Sequence, residues 1–526
     1  LFLSGRGCPP GVALLGATAY MLNQQFVAWM YFNQIVASFC WLPFILWAVH
    51  LAMDKSHRYL SVAACFLALS LLGATLQQMA FVFAVLLCVY FGVLVDRRRE
   101  FAFRQTTAAF LVLGLLGVGL VAFALEPAVY AYLENEQSGH GRGGIRYEAG
   151  ALQPVLHAIA SPLTAFPSLL GSTSTLDLWK VFKFDIFNVG FFGTIPMVVA
   201  CLGLFSRSVP TGAKLLVLAG MLVPLSPLVG FLYHRFNVLW ILGGCWACCA
   251  WLSAASPATL RRTSIWLGGL LAVGAVIWSL ASLGIVIWRE SLDTALQAKV
   301  LAASSSSTFG IFHGWMRSRA VGLLDYLCIW NPWQTMMLGG AAFSAWGLTR
   351  LQSVRGVWQF AAAAGVALQL NVFWWQWTTW SKPELVYEQP ELAVFLKKEV
   401  GTNGRLAVEP APWAEAMFPP NMLMPSGVAI TGGYDAIQPF GMKSPSGRSW
   451  NFPGTTHFLG KVDADGPEGW IEVWNDGTWH VLRNPLQSMG VITTSLEQKS
   501  FQRDMFTRPT PNTMSAAVPA GVTKLI

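Results

Sequence analysis

The chain has 526 residues, of which 54% are hydrophobic and only 11% charged, less than half the charged share of an ordinary soluble domain. So apolar a chain cannot cover a water-facing surface, which excludes a soluble globular protein and leaves a lipid-embedded one. The net charge of +8 does not signal a nucleic-acid partner: residues 381–526 carry 12 basic and 14 acidic side chains, so the whole excess sits in the apolar part, 22 against 12. Its 24 tryptophans suit membrane interfaces, where an amphipathic indole is at home.

Apolar runs long enough to cross a hydrocarbon core of about 30 Å as helices occur at 9–24, 34–52, 59–75, 78–95, 107–125, 187–205, 215–233, 237–255, 264–288 and 333–349, with a further run from Gly356 to Trp375. The sequence therefore predicts an α-helical polytopic membrane protein of about ten or eleven spans, occupying residues 1–376. Asn23, Gln24 and Gln25 are expected to cut the first span short.

Orientation follows from the positively charged loops. Lys55 and Arg58; Arg97, Arg98, Arg99 and Arg104; Arg207 and Lys214; Arg261 and Arg262; and Arg350 and Arg355 fall in alternate loops, twelve cations against Asp54, Asp96 and Glu100. All lie on one side if every span is real, which puts that side in the cytoplasm of a cell membrane and residues 377–526 outside it. Two outward segments, 126–186 and 289–332, exceed simple turns and read as interfacial or covering helices.

Beyond residue 377 the pattern changes. Pro390 to Val400 reads as a short helix, and Arg405 to Glu409 as a strand. Trp470–Trp474 and Thr478–Leu482 read as a hairpin around Asn475-Asp476-Gly477, and Gly490–Thr494 as a further strand. The expected result is a small extracytoplasmic α+β domain. Its sequence holds none of the nine cysteines, so no disulfide framework supports it; Cys245, Cys248 and Cys249 lie inside an apolar run and read as small buried hydrophobes. The start at Leu1 and the end at Ile526 both read as cuts in a longer protein.

No phosphate-binding loop, dinucleotide fingerprint, zinc pair or nucleophile elbow is present, so neither cofactor nor metal is indicated. The spans are nearly free of ionisable groups, which argues against an ion-coupled transporter. Polar residues instead recur at outward helix ends. Gln77 and Gln78 cap one hairpin, His234 and Arg235 another, Glu126 precedes Pro127, and Arg142 and Arg146 sit in a glycine-rich loop. An outward arginine at the interface suits a lipid phosphate, which its guanidinium engages through a two-pronged fork; anchoring at lipid headgroups is the plainer alternative.

Several segments resemble the YfhO family of bacterial membrane proteins, grouped with the GT-C-type glycosyltransferases. They are Trp41-Leu42-Pro43, Leu72 to Gln78, Phe192-Gly193-Thr194-Ile195-Pro196, Arg235-Phe236, Pro420-Asn421 with Gly432-Gly433-Tyr434-Asp435, and Gln487 to Thr494. The family's His and Pro are missing ahead of Gln78, and Ile492 and Thr493 stand where it has Lys and Tyr. The resemblance implies sugar transfer from a polyprenyl-phosphate donor to a cell-envelope glycopolymer. Arg235, His234 and Arg146 would then bind the donor phosphate, and Asn421, Tyr434 and Asp435 would face the acceptor. The family's catalytic carboxylate follows a first span expected upstream of Leu1, which leaves Glu126 as the nearest acidic candidate here. A flippase or polysaccharide exporter and a non-catalytic envelope scaffold are the competing readings.

Overall fold

A computed structural model describes residues 1–28, 33–74, 76–96, 100–134, 164–171, 190–222, 237–305, 322–351, 356–377, 391–400, 406–408, 455–462, 466–477, 479–485, 492–493, 498–499, 506–510 and 513–516. The chain divides into two compact units, one of 1–126 with 146–379 and one of 127–145 with 380–526.

The first unit is a helical bundle, and the protein is a polytopic membrane protein. Its main helices are α1 (Pro10–Met21), α2 (Asn33–Phe39), α3 (Leu42–Asp54), α4 (Tyr59–Leu72), α5 (Leu76–Asp96), α6 (Glu100–Glu134), α7 (Thr194–Leu204), α8 (Thr211–Leu222), α9 (Asn237–Ala254), α10 (Pro257–Ile287), α11 (Arg289–Ser305), α12 (Pro332–Gly347) and α13 (Ala361–Trp377). Every apolar run read from the sequence is helical over some of its described residues. Among the described residues, six helical stretches are long and apolar enough to cross a membrane: Val36–Asp54, Gln78–Asp96, Phe103–Leu125, Asn237–Ala254, Pro257–Ile287 and Val357–Trp375. The remaining apolar helices are shorter over their described residues. In α1 the cause is visible: the Asn23 amide donates to the Tyr20 carbonyl, and its oxygen accepts the Phe26 N–H at 3.1 Å. An asparagine that takes over backbone bonds in this way ends one helix and caps the next.

α9 lies at the centre, with side chains buried along most of its length from Asn237 to Leu252. α1, α7 and α8 pack against it. Cys245, Cys248 and Cys249 are buried within this core, and the Cys249 thiol donates to the Val12 carbonyl at 3.4 Å. They pack as small hydrophobes. α10 is at the periphery. It begins on a Ser256 hydroxyl that accepts the Thr259 N–H at 3.1 Å, with Pro257 in the first turn. Trp266, nine residues into it, and Trp288, just past its last residue, are exposed. Twenty-two residues of helix span about 33 Å, close to the hydrocarbon thickness, so the two indoles match the two interfaces. Gly268, Gly269 and Gly274 on α10 have no described atom where a β-carbon would reach, so packing among the described residues does not account for them. The close helix contact lies elsewhere. Where α12 crosses α13, a β-carbon on Gly340 or Gly365 would strike the other helix's backbone, one on Gly347 would strike Ala362, and the Ser344 hydroxyl donates to the Ala362 carbonyl at 3.1 Å.

The second unit contains the expected helix, α14 (Glu391–Glu399), and a four-stranded sheet. Its strands are β1 (Leu406–Val408), β2 (His457–Lys461), β3 (Ile471–Asn475) and β4 (Trp479–Arg483), in the order β1-β2-β4-β3 with only the β1–β2 pair parallel. The β3–β4 hairpin turns where the sequence places it. Gly477 adopts φ +87°, and its N–H bonds the Asn475 side chain at 2.7 Å, the side-chain-stabilised turn that Asn and Gly favour. Leu392, Leu396 and Val400 cover one sheet face formed by Leu406, Leu459, Trp479 and Val481. β2 was not anticipated, because its apolar pair Phe458-Leu459 is too short to show alternation.

On the α14 face, His457 is buried between the Thr456 hydroxyl, 2.8 Å from Nδ1, and Glu399, 3.9 Å from Nε2; Glu399 also accepts from Arg483 at 2.8 Å. Burial lowers the His457 pKa, and Glu399 only partly offsets it. The folded pKa therefore lies below the unfolded value of about 6.5. On the acid side the unfolded chain binds the extra proton, so this contribution to stability is complete above about pH 6.5 and is lost as pH falls below it. We expect His457→Gln to show a smaller drop in the unfolding temperature of this unit between pH 7 and pH 5 than the unaltered protein, measured by calorimetry of the full chain.

Candidate functional site

The bundle is asymmetric along its axis. Short connections carrying Lys55, Arg58 and Arg207, with Lys214 in the first turn of α8, lie at one end, where Asp96 of α5 accepts the Thr211 N–H at 3.1 Å and the Thr211 hydroxyl at the start of α8. At the other end the helices start or finish on buried amides and hydroxyls. Asn23, Gln24, Gln25, Ser38, Ser70, Gln78, Thr194, Asn237 and Gln334 are each at most 4% exposed. Gln369, also buried, lies two turns before the end of α13.

Three glutamines in this layer bind backbone rather than one another. Gln24 forms a two-way clamp on Phe191: its own N–H donates to the Phe191 carbonyl at 2.8 Å, and its side-chain oxygen accepts the Phe191 N–H at 3.0 Å. Gln369 accepts the Thr194 N–H at 2.9 Å and donates to the Thr194 hydroxyl and, at 3.2 Å, to the Met337 carbonyl. The Thr194 hydroxyl in turn donates to the Ala165 carbonyl at 2.7 Å. Gln334 donates to the carbonyls of Ser168 and Tyr326 at 2.9 and 3.2 Å and accepts the Ser168 hydroxyl at 2.8 Å. Non-helical backbone at membrane depth persists only where its polar groups are satisfied internally, and these amides supply the partners for the segments at 165–168 and 190–194. Gly190 and Gly193, at φ +69° and +104°, let the chain turn into α7. The Phe192 to Pro196 segment that carries part of the family resemblance is thus a clamped helix entry.

The residues proposed to act on substrate fall outside what the structure describes. His234 and Arg235 lie in 223–236, Arg146 in 135–150, and Asn421, Tyr434 and Asp435 in 409–450, all outside the described residues. Glu126 belongs to α6 and Gln77 to α5, but their side chains lie outside the described set as well. Arg235 stands two positions before Asn237, the buried first residue of α9. Among the described residues, no group of three His, Cys, Asp or Glu could hold a metal.

No protein-family model matches the chain, and no curated protein matches it. Among solved structures, it is similar to ArnT from Cupriavidus metallidurans, crystallised bound to undecaprenyl phosphate, with a TM-score of 0.41 and 13% identity over 90% of this chain and 83% of that one. At that distance the likeness assigns no activity.

The glutamine clamps were readable in part. Gln334 is the one amide of an otherwise apolar helix, and Gln369 stands in an apolar stretch of α13 that also carries Asn371. Both are the kind of intramembrane polar residue that asks for a partner. We expect Gln369→Leu to leave the Thr194 N–H without its acceptor, at a cost of about 1–3 kcal/mol for a buried donor. The measurement is the unfolding temperature of the purified full chain; Gln369→Glu, which retains an acceptor, is expected to lose less.

Proposed function

We propose that this protein is a membrane glycosyltransferase of the GT-C-like kind that moves a sugar from a polyprenyl-phosphate donor to an acceptor outside the cytoplasm, a glycopolymer of the cell envelope. The carrying observation is the one-sided distribution of buried side-chain amides among the described residues. They concentrate at the helix ends opposite the basic loops, where a lipid-linked donor would meet a water-soluble acceptor. In this reading Arg235, with His234 and Arg146, holds the donor phosphate, and the region of Asn421, Tyr434 and Asp435 faces the acceptor. The acceptor hydroxyl oxygen bonds to the anomeric carbon as the carbon–oxygen bond to phosphate breaks. The hydroxyl proton passes to a carboxylate, for which Glu126 is the candidate in this sequence, and polyprenyl phosphate leaves with its charge met by cations.

A flippase or exporter would instead need polar groups spread through the bundle's depth. Among the described residues the buried side-chain amides cluster at one end, and the apolar core built on α1, α3, α5, α8 and α9 supports the transferase reading over it. The test is transfer itself. Full-length protein supplied with a radiolabelled polyprenyl-phosphate sugar and a cell-envelope fraction should move label into polymer; label that only crosses the bilayer, still attached to its lipid, contradicts the proposal.

A further inference from the structure

A second polar site lies at the opposite end of the bundle. A cavity of about 70 Å³ is lined by Arg6, His50, Val93, Asp96, Gly212 and Trp246, among others. That is room for roughly five waters, the scale of a small polar headgroup. It lies at the basic-loop end, one turn into the bundle. The His50 ring stacks on Phe2 with centroids 5.7 Å apart and meets Trp246 edge-on at 5.6 Å, forming an aromatic wall.

Among the described residues, the lining carries Arg6 and Asp96, which do not pair with each other. Arg6 contacts the Asp54 carboxylate at 3.6 Å and His50 Nδ1 at 3.4 Å. Asp96 is held by Thr211. Neither Asp54 nor Thr211 lines the cavity, so both charges are positioned from outside it and face a common space. The two contacts of Arg6 both run through one terminal nitrogen, which leaves most of its five guanidinium donors unused among the described residues. The carboxylate keeps acceptor capacity beyond its bonds to Thr211. An anion alone would meet Asp96, and a cation alone would meet Arg6. A ligand with both charges a few bonds apart satisfies each. The exposed Lys55, Arg58 and Arg207 nearby give the approach a positive field that draws the phosphate end inward.

We propose that this cavity binds a phosphate ester bearing a primary ammonium, a phosphoethanolamine group, carried by a membrane lipid on the basic-loop side. The phosphate lies against Arg6 and the ammonium against Asp96. This site is independent of the transferase reading, and either can fail alone.

The experiment measures ligand-induced rise in unfolding temperature of the detergent-purified full chain. Its probes are dihexanoyl phosphatidylethanolamine, dihexanoyl phosphatidylglycerol and free phosphoethanolamine. We expect saturable stabilisation by the ethanolamine lipid at least about tenfold tighter than by the glycerol lipid, and Arg6→Gln and Asp96→Asn each to weaken it by about tenfold. Val93→Trp, which fills the cavity and alters no charge, should abolish it, so the test survives if Asp96→Asn proves unstable. Free phosphoethanolamine binding as tightly as the lipid would keep the chemistry and make the source soluble. Equal binding of both lipids, or undiminished binding to Val93→Trp, overturns the proposal.

Discussion

Gly365→Leu is expected to prevent the bundle from assembling, leaving little folded protein in the membrane. α12 and α13 cross with their backbones nearly touching. A β-carbon at 365 would strike the backbone of Ser344 and the Gly340 carbonyl oxygen. No flexible side chain is in the way that could step aside. Overpacking a core by a few methylenes costs about 1–3 kcal/mol when the neighbours can shift, and here the neighbour is main chain. Separating the helices would also part the Ser344 hydroxyl from the Ala362 carbonyl and pull Gln369 from Met337, leaving buried polar groups unpartnered in lipid. The contrast is Gly269→Leu on α10, where nothing described lies within reach. Monodisperse protein recovered in mild detergent should fall at least about tenfold for Gly365→Leu and stay near the unaltered level for Gly269→Leu, in keeping with small residues acting where helix backbones meet.

Arg235→Ala should lower transfer by about a hundredfold or more while leaving the unfolding temperature unchanged. Cations that meet charge developing on a leaving group are worth roughly 10² to 10³ in rate. A residue that only anchors its helix at headgroups would give the opposite pattern, a lower yield with normal turnover. Arg235→Lys should recover part of the rate, because an ammonium keeps the charge but loses the two-pronged fork. Unchanged transfer by Arg235→Ala at limiting donor would remove this residue from the site.

Much of the architecture was legible in the residues. Hydrophobic runs marked the helices, because in lipid a spanning backbone must satisfy itself and helix is the local way to do so. The break after α1 was legible because Asn23 competes for backbone bonds, and the β3–β4 turn because Asn and Gly favour it. The tight crossing of α12 and α13 was not. Gly340, Gly347 and Gly365 look no different in sequence from Gly268 and Gly269, and which glycines meet a neighbour depends on helix rotation. The glutamine clamps were half legible: Gln369 announces a need for a partner, but Thr194, 175 positions away, is found only by folding. The cavity around Arg6 was missed for the same reason. Its lining comes from 6, 50, 89–96, 210–212 and 246, residues that no local pattern connects. The candidate site residues Arg235, His234, Arg146, Glu126, Asn421, Tyr434 and Asp435 were read from charge at helix ends and from family resemblance, and they remain a proposal for mutagenesis.

The sidedness of the membrane decides most of this account. Single cysteines placed at Asn475, Arg58 and Arg207 in a cysteine-free background of the full chain, probed in intact cells with a membrane-impermeant maleimide, measure it directly. Labelling at 475 from outside, with 58 and 207 reached only after permeabilisation, is the predicted result. Equal access to 475 and 58 in intact cells would contradict the topology and, with it, the placement of sugar transfer at the outer face.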